Sequence, residues 1–412
     1  MVQRMRKMKD SGIEWIGEIP EGWEVSQLKY ATRWKSEKGC PDAPVLSLYR
    51  DFGVVPKDSR DDNHNVTSLD TSNYKVVDIG DLVINKMKAW QGSMAVSDYR
   101  GIVSPAYHVC SITSNKVNKR YLHHLLRNPA YLPEYARLST GMRIGQWDLG
   151  FDDFKNIPFL IPPLDEQAKI ADYLDNGCAS LDAMLSKTRS SIEEYKKLKQ
   201  AVITQAIATQ HCSHIKLKYL MNVIVDCPHE TPTYSFTGNY YVIRTADQAL
   251  ASLRCDEDMY RLDASEYKKR TRRLTLDKDD IVYGREGERW GLACIVPESN
   301  KYCLGQRIMQ FRCNTKFLYP KYAMYALNSE PVYLQGVADT IGSTSPHVNI
   351  STVCNYLLPV PALTEQKEIV NYLDAKCAEI DRLIAKKEQL VKELESYKKS
   401  LIYEVVTGKR EV

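Results

Sequence analysis

Two stretches of this chain carry the same hydrophobic rhythm. Steps of four and three residues lead through Ile170, Leu174, Cys178, Leu181, Leu185, Thr188, Ile192, Tyr195, Lys199, Val202 and Ala206. The same register runs through Ile369, Leu373, Cys377, Ile380, Ile384, Lys387, Val391, Leu394, Lys398, Leu401 and Val405. A heptad pattern held this long specifies a coiled-coil seam rather than a helix lying on a globular core. Ile170, Leu174, Leu181, Leu185 and Ile192, with Ile369, Leu373, Ile380, Ile384, Val391 and Leu394, are its expected apolar positions. Lys199 and Lys398 interrupt it in both copies, which is expected to shift packing onto Leu198 and Tyr397. A lone rod would expose its seam, so the two helices should pair, and antiparallel pairing places what they carry at opposite ends.

The rhythm is part of a larger repetition. Leu164–Ile207 and Leu363–Val406 align without a gap at a shift of 199 residues, with 14 of 44 positions identical. Those include Ile170/Ile369, Tyr173/Tyr372, Asp175/Asp374, Cys178/Cys377 and Asp182/Asp381. Upstream, Gly80-Asp81-Leu82-Val83 matches Asp279-Asp280-Ile281-Val282 at the same shift, and Leu28-Lys29-Tyr30 matches Leu217-Lys218-Tyr219 at a slightly shorter one. The chain is therefore two copies of one unit. Proline-bearing stretches, Ile161-Pro162-Pro163 and Pro359-Val360-Pro361, lead into each helix. Asp165 and Thr364 are the expected N-caps, and Gly177 inside the first helix costs about 1 kcal/mol relative to alanine. Forty-four residues at 1.5 Å each give a rod of roughly 66 Å.

The rest of each copy reads as α/β (α+β) with many short strands. Strands are predicted at Tyr74–Ile79, Asp81–Asn85, Gly101–Cys110, Tyr240–Arg244, Asp280–Tyr283, Leu292–Val296 and Ile308–Cys313. Helices are predicted at Asn118–Arg127 and Pro320–Asn328. The expected organisation is a first mixed module over 1–160, a helix over 161–209, a second module over 210–358 and a second helix over 359–412, a pseudo-twofold internal repeat.

With 412 residues and 43% hydrophobic positions, the chain can bury several cores. Its 56 basic against 52 acidic residues leave a net charge of only +4, which permits a polyanionic partner without demanding one. The eleven cysteines form no CxxC pair, and no apolar segment follows the basic residues of the first ten. A cytoplasmic protein with reduced thiols is expected, with no membrane span.

Most motifs that resemble catalytic chemistry fail on spacing. Asn156-Ile157-Pro158-Phe159 resembles the loop by which adenine-N6 methyltransferases hold a flipped base, but lacks its first proline, and Asn355–Leu358 lacks more. Gly284–Gly291 fits no dinucleotide fingerprint, and no phosphate-cradling glycine loop is present. His211, Cys212, His214, Cys227 and His229 are ligand types for zinc, in a spacing that matches no common site; no metal is expected. A non-catalytic chain follows; a self-contained adenine methyltransferase using Asn156–Phe159 is the alternative.

A binding surface remains. Lys86, Lys88, Trp90 and Gln91 follow one predicted strand, and Arg285, Arg289 and Trp290 occupy the matching loop of the second copy. Arg143 and Gln146 precede the first proline lead-in; Ser345, His347 and Asn349 hold the equivalent place in the second. Lys268, Lys269, Arg270, Arg272 and Arg273 form the densest basic run. Arginine, glutamine and asparagine match the hydrogen-bonding edges of guanine and adenine, and lysine matches phosphates. These are the candidate DNA contacts.

The paired Pro-Pro-Leu-Asp-Glu-Gln and Pro-Ala-Leu-Thr-Glu-Gln lead-ins, the duplicated helices and the opening Gly12-Ile13-Glu14-Trp15-Ile16-Gly17-Glu18-Ile19-Pro20-Glu21-Gly22-Trp23 closely resemble the specificity subunit of type I restriction–modification systems. The second lead-in departs from the commoner Pro-Pro-Leu only at Ala362. The resemblance implies two target-recognition domains, each reading half of a split site in double-stranded DNA. It implies spacer helices that form an antiparallel coiled coil and dock two modification (methyltransferase) subunits, joined by two restriction subunits. S-adenosylmethionine and ATP are then expected on those partners and no cofactor on this chain.

Overall fold

The computed structural model describes residues 6–50, 52–59, 67–68, 70–141, 147–208, 212–254, 256–287, 289–340 and 346–412. The chain forms two compact units, one of Met1–Thr188 with Leu390–Val412 and one of Arg189–Gln389.

The first unit is built on an antiparallel sheet of β1 (Thr32–Lys35), β2 (Asp81–Asn85), β3 (Met94–Val96) and β4 (Tyr107–Ile112), in the order β1-β4-β2-β3. Leu82, Val83 and Ile84 are all fully buried, so β2 is covered on both faces and reads as a continuous apolar run rather than an alternating one. The helix Lys119–Leu126 follows. The Asn118 side chain accepts from the N–H groups of Arg120 and Tyr121 at 2.9 and 3.2 Å, which sets its start, and Tyr121, Leu122, Leu125 and Leu126 form its buried face. The core joins these to Trp23, Tyr131, Phe154 and the root of the first long helix at Ile170 and Leu174.

The second unit repeats the plan. β5 (Met221–Asp226), β6 (Ile281–Gly284), β7 (Ala293–Ile295) and β8 (Ile308–Cys313) pair antiparallel in the order β5-β8-β6-β7, followed by a helix over Pro320–Leu327. Strands and helices lie within a few residues of the predicted ranges, except that Gly101–Cys110 divides into Gly101–Val103 and β4.

The long helices span Leu164–Ile207 and Leu363–Val406, the same bounds as the aligned repeat. Their caps differ from expectation. The N–H of Gln167 bonds to the Pro163 carbonyl and that of Gln366 to Ala362, so Pro163 and Ala362 hold the N-cap positions, two residues before Asp165 and Thr364. Asp165 instead lies in the first turn, where a carboxylate favours the dipole.

Each helix is pinned to its own unit by a buried amide. Gln167 Nε2 donates to Lys116 and Pro162 carbonyls at 2.8 and 2.7 Å, and its Oε1 accepts from Asn118 N–H at 2.8 Å. Gln366 does the same with Phe317, Pro361 and Tyr319 at 2.9, 2.9 and 2.7 Å. This explains the duplicated glutamine in physical terms: only a glutamine offers two donors and an acceptor at that reach.

The helices pair antiparallel as a coiled coil. In the first unit Gly177 faces Leu401, and Lys398 Nζ donates to both oxygens of Asp182 at 2.6 and 2.8 Å. In the second, Lys199 Nζ meets Asp381 at 2.9 and 2.8 Å, and Lys387 lies 5.7 Å from the Tyr195 ring. Ile170, Leu174, Leu181, Leu185, Ile192, Leu373 and Ile380 are buried, while Ile369, Ile384, Val391 and Leu394 are half-buried. The lysines do not divert the seam. Lys199 is only 5% exposed, its stem packed and its amine shared between Asp381 and the Leu250 carbonyl at 3.0 Å. Leu198 and Tyr397 face outward instead. The ten described cysteines are free, and burial pushes the Cys110, Cys294, Cys303 and Cys313 thiols up to about 12. No described helix is long and apolar enough to cross a membrane.

A half-buried histidine, His123, adds to the acid sensitivity of the first unit. Burial, then the charges of Arg127 and His124, hold the His123 pKa well below 6.5; Arg127 Nη1 lies 2.7 Å from its Nε2. The folded unit keeps the ring neutral, whereas the unfolded chain takes up a proton near pH 6.5. Stability is therefore present above that pH and lost as pH falls below it, by at most about 1.4 kcal/mol per pH unit. Met324 holds the equivalent place in the second unit. Hydrogen exchange between pH 7.5 and 5 should show the first unit weakening below 6.5, and His123→Met should reduce that slope, leaving the part due to His108, whose burial also lowers its pKa. An unchanged slope in the variant would refute the assignment.

Candidate nucleic-acid interface

In the first unit the candidate loop leaves the end of β2. Ala89–Gln91 make one tight turn that closes on Gly92, at φ 82°. Gly291 holds the matching place at φ 90°, where a Cβ would also collide with the Tyr333 ring at 2.6 Å. Lys86 Nζ reaches Asp148 at 2.9 Å, and its carbonyl accepts from Leu149 N–H at 3.0 Å. The Trp90 ring meets the Trp147 ring edge-on at 5.1 Å. Trp90 Nε1–H and Asp148 Oδ1 are buried without a hydrogen-bond partner among the described residues. Lys88 and Gln91 are exposed at the tip. Arg143 and Gln146 lie outside the described residues, immediately before Trp147.

The second unit builds the same junction from different side chains. Val348 N–H donates to the Arg285 carbonyl at 3.0 Å, the counterpart of Leu149 on Lys86, and Gly287 N–H donates to Pro346 at 2.9 Å. His347 bridges Glu286, and Asn349 is exposed at the start of a short helix. Arg285 is buried, with Nε and Nη2 on the two oxygens of Asp226 at 3.1 Å each and Nη1 on Glu286 at 2.7 Å. Burial opposes its charge, and the Asp226 carboxylate outweighs that, so its pKa is raised. Arg289 is exposed and donates to the Ala246 and Gln248 carbonyls at 3.0 and 3.3 Å. Trp290 stacks on Tyr333 at 4.5 Å and belongs to the core.

The basic run divides. Lys268, Arg272 and Arg273 are exposed, and Lys269 pairs with Glu230 at 2.9 Å. Arg270 is buried, donating to Leu304 from Nε and Nη2 at 3.0 and 2.9 Å and to Glu230 from Nη1 at 2.9 Å. It ties loops together rather than facing outward. A cation in a run of cations gives no sign of this, because carbonyl partners are set by the fold.

The structure thus gathers Lys86, Lys88, Trp90 and Gln91 beside Trp147–Leu149, and Arg285 and Arg289 beside Pro346–Val348. Their partners Trp147, Asp148, Asp226 and Glu286 were missed in the sequence. Leu149 and Val348 stand 199 residues apart, so the repeat held a signal for that junction. What the arrangement can do is present Lys86, Lys88 and Gln91 in the first unit and Arg289 in the second, with Lys86 held by a carboxylate and Arg289 by carbonyls until an anion or a base edge displaces them.

Two further motifs are engaged within the fold. Phe159 is 1% exposed inside the core, and the Asn156 amide donates to the Asp152 carbonyl at 2.8 Å, so neither is free to hold a flipped base. Asp226, Cys227 and His229 lie together, yet Asp226 is engaged by Arg285, and the Cys227 sulfur accepts from Arg307 N–H at 3.2 Å. Burial raises that thiol away from the anionic form that binds metals. His211 lies outside the described residues.

Residues 20–194 and 227–394 match the family described as the type I restriction modification DNA specificity domain, one match per repeat. The chain is 22% identical over 424 residues to the type I restriction enzyme MjaVIII specificity subunit of Methanocaldococcus jannaschii, covering 95% of this chain and 93% of that protein. Its fold resembles a chain from a structure of type I R-M complex assembly and conformational transition, with TM-score 0.69, 16% identity, and coverage of 95% and 99%. It also resembles the HsdS subunit of Thermoanaerobacter tengcongensis, with TM-score 0.50, 15% identity, and coverage of 95% and 98%.

Proposed function

The chain belongs to the type I restriction modification DNA specificity family, and from that premise we propose that each unit reads one half of a bipartite site in double-stranded DNA. The observation that carries this is the duplicated junction. One N–H to carbonyl bond at 3.0 Å holds Leu149 to Lys86 and Val348 to Arg285, while the side chains around it differ. A common scaffold with unlike side chains suits similar docking on unlike letters.

The coiled coil sets the gap between half-sites and docks two modification subunits, with two restriction subunits completing the assembly. Supporting the docking, Tyr173 and Lys187 are exposed and recur, exposed, as Tyr372 and Lys386. Fourteen residues apart, each pair lies on one face of its helix, away from the seam. The chain itself is non-catalytic and acts in the cytoplasm; S-adenosylmethionine and ATP belong to the partners. The alternative of a self-contained methyltransferase is disfavoured because Phe159 is core.

Exchanging residues 1–160 for those of a relative tests the reading. Mapping of methylated adenines in cells carrying the exchange should show one half of the site altered and the other unchanged. Both halves altered, or neither, would overturn it.

A further inference from the structure

Surfaces that read different letters must differ between the units, whereas surfaces that grip two copies of one partner must agree. Exposed residues that are identical in both units and lie away from the reading loops therefore point to a shared protein partner. The turns Leu28–Tyr30 and Leu217–Leu220 meet that condition.

In both, the leucine is fully buried, and its N–H is fixed to the residue just before the strand that leads into the long helix: Leu28 to Ile157 at 3.1 Å, Leu217 to Tyr356 at 2.8 Å. Packing thus explains the leucine and leaves the next two residues unexplained. Tyr30 is 70% exposed and Tyr219 is 67% exposed. In each case the preceding lysine holds its ammonium 5.2 Å from the centre of that ring. An exposed asparagine stands nearby at the shift of 199, and Lys29 Nζ donates to Asn156 Oδ1 at 3.1 Å. Asn156 and Asn355 each turn their amide onto the carbonyl four residues back, at 2.8 Å. One exposed ring is ordinary. The same ring under the same cation, with an exposed asparagine at the shift of 199 that reaches the lysine in the first unit, is not.

The strand register separates this patch from the reading loops. Thr32 of β1 pairs with Ile112, and Ser111 pairs with Asp81, so the Leu28–Tyr30 turn joins the sheet where β2 begins. The candidate loop leaves where β2 ends, beside Asn85 and Tyr107. In the second unit Met221 pairs with Cys313, and Gly284 pairs with Ile308, giving the same opposition.

We propose that Lys29-Tyr30 with Asn156, and Lys218-Tyr219 with Asn355, are two equivalent docking points, each gripping one copy of the modification subunit. The partner surface carries a carboxylate for the lysine and an apolar group that covers the ring, a combination common at the centre of protein interfaces. This rests on the reading that two modification subunits bind the chain.

The test co-expresses the full chain with its modification subunit and measures stoichiometry and affinity by native mass spectrometry and titration. The chains are wild type, Lys29→Glu/Tyr30→Ser, Lys218→Glu/Tyr219→Ser and the four-fold variant. Each double variant should hold one copy normally and the second at least tenfold more weakly; the four-fold variant should weaken both. Lys29→Glu and Lys218→Glu alone serve if a double variant does not fold. Two copies bound with unchanged affinity would overturn the proposal, as would lost DNA affinity with partner binding intact, which would mark a phosphate contact. A wild-type chain that binds no modification subunit would instead overturn the reading beneath it.

Discussion

Seven residues inserted into both long helices, between Thr188 and Arg189 and between Gln389 and Leu390, are expected to widen the unread gap of the DNA site and leave its letters unchanged. The positions matter. They coincide with the boundaries of the two compact units, so Lys398–Asp182 and Lys199–Asp381 each stay within their own segment. A whole heptad keeps every apolar position on the seam, and the two inserts pair with one another. The axial gain is about 10 Å, at most about three base pairs at roughly 3.4 Å each, and less where the coil is inclined to the duplex. Inserting the heptad into one helix only should abolish methylation, because the seam then loses its partner along half its length. Methylated-adenine mapping reads both variants. A normal gap in the doubly lengthened protein would defeat the spacer role.

Gln167→Leu and Gln366→Leu should each destabilise one unit by about 3 kcal/mol. Each substitution keeps the side-chain volume but leaves two carbonyls and one N–H without partners. One carbonyl is fully buried and the other groups are partly so. An unsatisfied buried group costs about 1–3 kcal/mol, less where water reaches it. Against a domain stability of about 5–15 kcal/mol, that is a large fraction. Gln205→Leu, exposed on the same helix, should stay within about 0.5 kcal/mol. Urea unfolding with unit-resolved hydrogen exchange reads the difference. Equal effects at Gln167 and Gln205 would show that the buried amide is not what holds the helix root.

Burial reverses the meaning of several residues whose type had suggested a role. Arg270, Arg285 and Lys199 are all cations in regions expected to be solvated or disruptive. Each proves to be buried and saturated, by carbonyls for Arg270, by Asp226 and Glu286 for Arg285, and by Asp381 for Lys199. Apart from Glu286, the partners of these cations lie tens to hundreds of residues away, and neither composition nor local spacing carries that distance. Lys88, Gln91, Lys268, Arg272 and Arg273, by contrast, are exposed where the local reading put them.

The chain alone determined whatever is periodic or duplicated: the two 44-residue helices with their seam, the repeat of 199 residues, and the order of strand and helix in each copy. Those features arise from local propensity and from side chains recurring on one face, which linear spacing records. Tertiary structure alone decided which cations remain available, that Gln167 and Gln366 anchor the helix roots, and that the Lys-Tyr turns lie across the sheet from the candidate reading loops. Those outcomes depend on hydrogen-bond partners and strand register between segments far apart in the chain, where geometry rather than spacing selects the neighbour.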